Sequence, residues 1–500
     1  MMTAPFTETG MTLGELFGAD VPSGARDVFV GDITLDSRRV TNGALFIAIA
    51  GGKRHGLEFL RQAADAGAAA IAWEPTEEWP GPVIAPPAVC FPVRGIRSRL
   101  GDLANRFFGE PSRRARVVGF TGTNGKTTCA HLVASALQDA GYRSGYMGTV
   151  GFGLPGRLRA SELTTADVVE THRRLAELAG MGASEVAMEV SSHALDQRRV
   201  AGIRFEVAVF TNLSRDHLDY HGDMDRYGAV KAQLFAMPGL RWAVVNTDDR
   251  WGHRMLSASG SGVGTVSVGS QACAAADRRL IVREYRALAG GLAISFDGDW
   301  GQLELTSRLI GRFNVDNLAL ALATLLVLGV PAGAALDALS SAQAPPGRME
   351  VLRRCPAGPV MVVDYAHTPD ALAKALGAVR AHCRGRLFAV FGCGGDRDPG
   401  KRAEMGKIAS AAADVVILTD DNPRSEDGGR IIDDILAGMD TRPTVIRDRK
   451  QAITAAFQQA GPDDVVLVAG KGHEEYQIVG DERRRFSDRE VARQLAGGPS

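Results

Sequence analysis

Apolar residues along this chain fall into short continuous runs, separated by longer stretches in which they recur every three or four positions. Runs at 44–50, 117–120, 185–190, 205–211 and 242–246, and again at 360–363, 387–391, 415–418 and 465–468, read as buried strands. Segments 57–66, 96–107, 131–140 and 401–412 read as helices. Such alternation predicts mostly parallel sheets covered by helices on both faces. The uncharged stretch 318–336 is long enough to mimic a membrane span, but Gly329 and Pro331 interrupt it. It predicts a buried helix ending near Gly329, followed by a second short one.

Two polar joints divide this pattern. Gly109-Glu-Pro-Ser-Arg-Arg-Ala-Arg116 is charged, and the paired prolines of Gln343-Ala-Pro-Pro-Gly347 stop a continuing helix. The expected fold class is α/β in three domains: a smaller N-terminal α/β domain at 1–112, a central parallel-sheet domain at 113–344 opened by a P-loop-like turn at 122–128, and a Rossmann-like domain at 345–500. A chain of 500 residues lets each bury its own core. The last domain lacks a Gly-x-Gly-x-x-Gly opening turn, so its topology does not imply a nicotinamide cofactor.

Composition narrows the field. Fifty-seven basic and fifty-eight acidic residues leave a formal charge of −1, so no global field argues for nucleic acid or an anionic membrane. Six cysteines without a close pair fit neither a disulfide framework nor a zinc knuckle, and point to a reducing cytoplasm. The first residues show no basic start followed by an apolar core, so no secretory signal is expected.

The chemistry begins at residues 116–128, where an apolar strand runs into Gly122-Thr-Asn-Gly-Lys-Thr-Thr128. Glycines let backbone N–H groups converge on phosphate oxygens, Lys126 adds positive charge and the Thr127 hydroxyl can ligate Mg²⁺. This turn is shorter than the commonest P-loop, since the position six before Lys126 is Phe120. Ligands of open α/β sheets gather beyond the carboxyl ends of strands. Two of those ends are polar: Met188-Glu-Val-Ser-Ser-His193 and Asn212-Leu-Ser-Arg-Asp-His-Leu-Asp-Tyr-His221. Asp216, His217, Asp219 and His221 read alone either as solvated loop charges or as a transition-metal set. His-Glu-x-x-His is absent, and Mg²⁺ is the ion expected beside a nucleotide.

Motifs in order along essentially the whole chain resemble those of the Mur ligases, ATP-dependent amino-acid-adding enzymes of peptidoglycan synthesis. They are Thr34-Leu-Asp-Ser-Arg38, the cradle at 122–128, Met188 to Gln197, Asn212 to Gly222, Gly311-Arg-Phe-Asn-Val-Asp-Asn317, Pro346-Gly-Arg-Met-Glu350, Asp364-Tyr-Ala-His-Thr-Pro369, Asp420-Asp-Asn-Pro-Arg424 and Gly470-Lys-Gly-His-Glu474. The resemblance implies that ATP phosphorylates the D-glutamate γ-carboxylate of a UDP-muramoyl dipeptide. The amine of an incoming amino acid then displaces phosphate to form an amide. Gly122, Thr123, Asn124, Gly125, Lys126, Thr127 and Thr128 would hold ATP phosphates, with Arg348 beside them, Asn314 and Asn317 near adenine and Asp364 toward the ribose. Thr127, Glu189 and His217 would bind Mg²⁺, together with Lys231, which matches a lysine that the family carries as a CO₂-derived carbamate. Lys126, Lys231, His217 and Glu189 would be the catalytic set. Without the resemblance, Lys231 reads as an unmodified helix-surface lysine.

For the nucleotide-sugar substrate, Ser37 and the loop bearing Gly52, Lys53 and Arg54 match the uridine diphosphate region. Thr164, Thr165, Ser191, Gln197 and Arg199 match contacts to the muramoyl peptide. Ala166 departs from the proline that often follows the paired threonines. Arg397, Asp421, Asn422, Pro423, Arg424, Gly470 and Glu474 match the amino-acid site. Diaminopimelate carries a second carboxylate that lysine lacks, and the planar fork of Arg424 suits it. Lysine would leave Arg424 buried and unpaired, at a cost of about 3–5 kcal/mol. Asp421 and Glu474 would take ammonium groups. The resemblance therefore implies a cytoplasmic, monomeric ligase adding meso-diaminopimelate, its reaction taking place between domains, with small-molecule substrates and no nucleic acid or membrane span. A lysine-adding member, a folylpolyglutamate synthase and a nucleotide-dependent binding module without ligation are the alternatives, each lacking part of this constellation.

Overall fold

The computed structural model describes residues 10–51, 54–81, 88–161, 163–288, 290–352 and 358–497. The chain forms two compact units, one from Met1–Lys126, Gly141–Val245 and Asp249–Thr265, the other from Thr127–Ala140, Asn246–Asp248 and Val266–Ser500.

The first unit opens with a parallel sheet of Asp32–Thr34, Ala44–Ala48, Ala70–Trp73 and Val89–Pro92, in that order. The strand Ala44–Ala48 is apolar throughout because both its faces are covered. Leu45 and Ile47 pack with Ile96, Leu100 and Phe107 of the helix Ile96–Phe107, while Phe46 and Ala48 pack with Leu57, Leu60 and Trp73. Beyond it, strands run in the order Arg157–Arg159, Gly151–Leu154, Ser144–Gly148, Glu185–Glu189, Arg116–Thr121, Phe205–Phe210 and Trp242–Asn246. Pairing is parallel from Ser144–Gly148 onward and antiparallel in the edge hairpin. The carboxyl ends of Arg116–Thr121, Glu185–Glu189 and Phe205–Phe210 thus lie side by side.

In the second unit, Arg278–Leu288, Gly291–Gly298 and Leu303–Ser307 form an antiparallel meander. Apolar periodicity does not announce it, since most of Arg278–Leu288 is exposed. The buried helix Phe313–Val327 and the shorter Ala332–Ser341 fall where the interruption at Gly329 and Pro331 places them. The last sheet runs Glu350–Leu352, Val360–Asp364, Val465–Ala469, Leu387–Phe391, Val415–Leu418 and Thr444–Val445, parallel except for its first strand. Val362, Ala389 and Leu467 face one helical layer and Met361, Val390 and Val466 the other. Among the described residues no helix is long and apolar enough to cross a membrane. One expectation needs correcting: the helix placed at 131–140 starts at Lys126 and runs to Asp139. The turn therefore delivers the lysine and both threonines directly onto the helix's first turn.

His172, on the helix Val168–Gly180, is fully buried, and its Nε2 lies 2.9 Å from the Ala201 carbonyl oxygen. Burial holds its imidazole down to about 4. Between pH 6.5 and 4 the unfolded chain takes up a proton there that the folded chain refuses, so stability falls as pH falls through this window. Replacing His172 with Gln should reduce that fall by up to ~1.4 kcal/mol per pH unit, measured by urea unfolding from pH 7 to 4. An unchanged slope would contradict the assignment.

Candidate active site

The strand Arg116–Thr121 ends at Gly122, whose φ is 148° and where a Cβ would lie 2.0 Å from Thr211 Oγ1. Only glycine fits. The turn is tied to the end of the neighbouring strand: Thr211 Oγ1 donates to the Asn124 carbonyl at 2.6 Å, Asn124 N to Asn212 Oδ1 at 3.0 Å and Thr123 N to the Asn212 carbonyl at 2.8 Å. Lys126 Nζ donates to the carbonyls of Gly122 and Thr123, each at 2.9 Å. The helix begins at Lys126, so its unpaired N–H groups and dipole favour an anion at this end. Thr127 is buried and Thr128 partly so on that first turn.

Lys231, on the helix Met224–Ala232, is buried, and its Nζ donates to the same Gly122 carbonyl at 2.9 Å. Its ammonium lies 4.6 Å from the centre of the Tyr227 ring. Burial, with Lys126 adding repulsion, pushes this amine well below the usual lysine range. It is a core residue, which overturns the reading of a helix-surface lysine.

Glu189 ends its strand fully buried, accepting from Tyr146 Oη at 2.6 Å, Thr149 N at 2.8 Å and Thr149 Oγ1 at 3.2 Å. Tyr146 and Thr149 lie outside every motif, and no sequence signal marked them. His217 takes a left-handed φ of 52° and stays half-exposed, with Nε2 3.4 Å from Asp216 Oδ2. Its ring stands 4.9 Å from that of His193, whose imidazole is lowered by burial first and by His217 and His221 next. His221 turns inward, Nε2 3.0 Å from Ser192 Oγ. Among the described residues no three His, Cys, Asp or Glu side chains gather as a metal set, so the transition-metal reading of this loop finds no support.

The muramoyl-peptide residues form one network. Thr165 Oγ1 donates to the Glu189 carbonyl at 2.9 Å and accepts from Ser191 N at 3.3 Å, and the Thr164 and Thr149 hydroxyls are 3.0 Å apart. Arg199 donates to the Thr165 carbonyl at 2.9 Å and to Gln197 Oε1 at 2.6 Å, and Gln197 Nε2 donates to Tyr220 Oη at 3.2 Å. Ala166, where the motif departs, is buried, and its carbonyl accepts from Thr171 Oγ1 at 3.2 Å. Ser37 is buried and donates to Gln62 Oε1 at 3.0 Å. Arg54 is exposed, paired with Glu58 at 2.6 Å and 4.4 Å above Phe59. Gly52 and Lys53 lie outside the described residues.

In the second unit, Asn317 Nδ2 donates to Asn314 Oδ1 at 2.9 Å and Asn314 Nδ2 to the Ile310 carbonyl at 2.7 Å. Cys129 Sγ lies 3.4 Å from Asn317 Oδ1, linking this helix to the one that follows the cradle. Asp364 accepts from Met349 N at 2.8 Å and Ala366 N at 2.9 Å, which holds Met349 at its left-handed φ of 50°. Burial raises the Asp364 carboxyl despite Arg348 and these donors. Arg348 stacks 4.5 Å over Tyr365, with Nε buried and without a hydrogen-bond partner.

The amino-acid residues converge on the ends of Val415–Leu418 and Val465–Ala469. Arg424 corrects the sequence expectation: it is half-buried, with Nη1 donating to the Gly395 carbonyl at 2.5 Å. It is therefore not a bare buried charge, and its remaining N–H groups can make charge-assisted bonds. Arg397 is exposed and, like Arg424, borders Gly394. Asn422 Nδ2 donates to Glu474 Oε2 at 3.1 Å, and Pro423 is buried beside Gly395. A Cβ at Gly470 would stand 3.1 Å from Asp421 Oδ2. Lys471, within a quoted motif but given no role, is fully buried among Asp421, Asn422 and Glu474. Beneath them Arg449 forms a bidentate pair with Asp488, both bonds 2.7 Å, and donates to the Ala469 carbonyl at 2.9 Å.

A three-domain α/β architecture with this cradle defines the class, and family models cover most of the chain: Mur ligase family, catalytic domain, at 30–108; Mur ligase middle domain at 120–325; and Mur ligase, glutamate ligase domain, at 347–472. The chain belongs to the Mur ligase family. It is 48% identical over 474 residues to UDP-N-acetylmuramoyl-L-alanyl-D-glutamate--2,6-diaminopimelate ligase of Xanthomonas campestris pv. campestris (strain 8004), covering 94% of each chain. A solved structure of a UDP-N-acetylmuramoyl-L-alanyl-D-glutamate--2,6-diaminopimelate ligase matches with TM-score 0.72 and 35% identity over 97% of this chain and 98% of that one. MurF ligase from Thermotoga maritima, solved in complex with ADP, shares the fold at TM-score 0.59 and 19% identity, over 88% of this chain and 93% of that one.

Replacing Asp488 with Ala would strand the Arg449 guanidinium in a dry interior, at a cost of about 3–5 kcal/mol. Guanidinium unfolding measures it, and Arg449→Met with Asp488→Leu should recover most of the loss. A single variant as stable as the parent would contradict the strut.

Proposed function

We propose that this chain is the ATP-dependent ligase that adds meso-2,6-diaminopimelate to the D-glutamate of UDP-N-acetylmuramoyl-L-alanyl-D-glutamate in the cytoplasm. It would act as a monomer with domains at 1–112, 113–344 and 345–500. The observation that carries the reading is near-full-length identity to ligases of that name, combined with Arg424, Asn422 and Glu474 converging beside the last sheet.

The γ-phosphoryl group of ATP passes to the D-glutamate γ-carboxylate, giving an acyl phosphate and ADP. The amine of diaminopimelate attacks that carbonyl carbon, and phosphate leaves as the amide forms. Lys126 and the helix N-terminus offset charge on the transferring group. Arg348 reaches phosphate through its unpartnered Nε, while Asn314, Asn317 and Asp364 shape the nucleoside end. Arg199, Gln197, Ser191, Thr164 and Thr165 hold the acceptor peptide, and Ser37, Gly52, Lys53 and Arg54 hold the nucleotide end of that substrate.

Glu189 and His217, joined by Thr127, fit Mg²⁺, because they offer a buried carboxylate, a half-exposed imidazole and a hydroxyl. Mg²⁺ would neutralise phosphate charge when bound. Lys231 fits carbamylation: burial favours the neutral form of its amine, and a neutral amine adds to CO₂ with loss of one proton, turning the lysine into an oxygen-bearing anion beside the cradle.

Phosphate release from ATP with the UDP-muramoyl dipeptide and Mg²⁺ should require diaminopimelate and be weak with lysine; equal rates, or none, would sink the reading. In the same assay Arg424→Ala should lower kcat/KM for diaminopimelate by about 10²-fold or more while leaving lysine little changed. An equal loss for both amino acids would remove Arg424 from the selection.

A further inference from the structure

Lys471 carries a charge that the reading above leaves without a task. It follows the strand Val465–Ala469, with its side chain fully buried. Its Nζ donates to Asn422 Oδ1 at 2.9 Å and lies 3.2 Å from Asp421 Oδ1 and 3.5 Å from Glu474 Oε2. Asn422 is fixed at both ends: Oδ1 also accepts from Ile478 N at 3.0 Å, and Nδ2 donates to Glu474 Oε2 at 3.1 Å. The ammonium therefore fixes the amide that fixes one carboxylate, and faces the other directly.

Neighbouring cations make their direct pairs elsewhere, although Arg449 still senses both Asp421 and Glu474. Arg447 pairs with Asp420 at 2.6 Å, and Arg449 is held by Asp488. Asp421, Glu474 and Lys471 together then carry one net negative charge rather than two. One ammonium of an incoming amino acid balances them, while Arg424 faces a carboxylate. Diaminopimelate, with two ammonium and two carboxylate groups, has no net charge; lysine, with one carboxylate, carries +1. A pocket stripped of Lys471 would hold one more negative charge and gain attraction for the cation.

We propose that Lys471 is a specificity-determining positioning residue: its ammonium, set between Asp421 and Glu474, tunes the charge of the amino-acid pocket to a neutral diamino dicarboxylate and against a cationic diamino monocarboxylate. It touches no substrate and acts through Asp421, Asn422 and Glu474. The proposal rests on the functional reading above, which places the amino acid here.

The test is steady-state phosphate release by the full chain and by Lys471→Met, Lys471→Arg and Glu474→Gln, each checked for a cooperative thermal melt. Diaminopimelate and lysine are compared by kcat/KM or, where lysine is not turned over, by its inhibition constant against diaminopimelate. Lys471→Met should shift selectivity toward lysine by about tenfold or more, the scale of one unit charge several ångströms away in a medium of effective dielectric near 20. The change should sit in KM for the amino acid with KM for ATP unmoved, and Lys471→Arg should keep selectivity near the parent value. Glu474→Gln removes a negative charge and should move selectivity the opposite way, which keeps the test decisive if Lys471→Met does not fold. Equal losses for both amino acids in Lys471→Met, or a shift toward lysine in Glu474→Gln, would overturn the proposal alone. A parent protein that uses no diaminopimelate would overturn the functional reading and this proposal with it.

Discussion

Two lysine side chains converge on one carbonyl oxygen, and the catalytic part of the first unit is arranged around that meeting. Lys126 and Lys231, more than a hundred residues apart in sequence and on different helices, each donate to the Gly122 carbonyl at 2.9 Å. Two ammonium ions cannot share an acceptor in a dry site without cost, so the proton affinity of one of them falls. Burial decides which: Lys231 is enclosed, while Lys126 is partly exposed. The result is a partly exposed cation at the cradle and an enclosed amine held well below the usual lysine range. Gly122 makes the meeting possible, since a Cβ there would strike Thr211.

The last sheet solves a different electrostatic problem. Asp421 and Glu474 stand beyond the ends of two strands, one buried and one half-buried, and two such carboxylates alone would repel. Lys471 sits between them, and Arg449 with Asp488 braces the same loop through the Ala469 carbonyl. Under the proposed function, fold stability and amino-acid choice thus depend on one set of contacts. Close backbone approach serves the same end: a Cβ at Gly347 would lie 2.1 Å from the Gly472 carbonyl carbon, and so the Arg348 turn can lie against the Lys471 loop.

Much of this was legible in sequence. Strands buried on both faces are continuous apolar runs, and Trp242–Asn246, Leu387–Phe391 and Val415–Leu418 fall where those runs do. Arg278–Leu288 was not legible, because an exposed antiparallel strand lacks that signal. Motif residues such as Glu189, Arg424 and Asn422 were visible, but their partners were not. Tyr146 and Thr149 orient Glu189 from a neighbouring strand and the turn after it, and only pairing register brings them there. Burial was equally hidden: without the resemblance Lys231 reads as a surface lysine and is enclosed, whereas Arg424 read as buried and is half-exposed.

The proposed function depends most directly on Lys231 as the buried amine that takes up CO₂. Protein equilibrated with ¹³CO₂ near neutral pH should show a ¹³C carbamate resonance that is absent from Lys231→Met and retained in Lys126→Met. A protein with no such resonance, or one whose resonance survives in Lys231→Met, would contradict it.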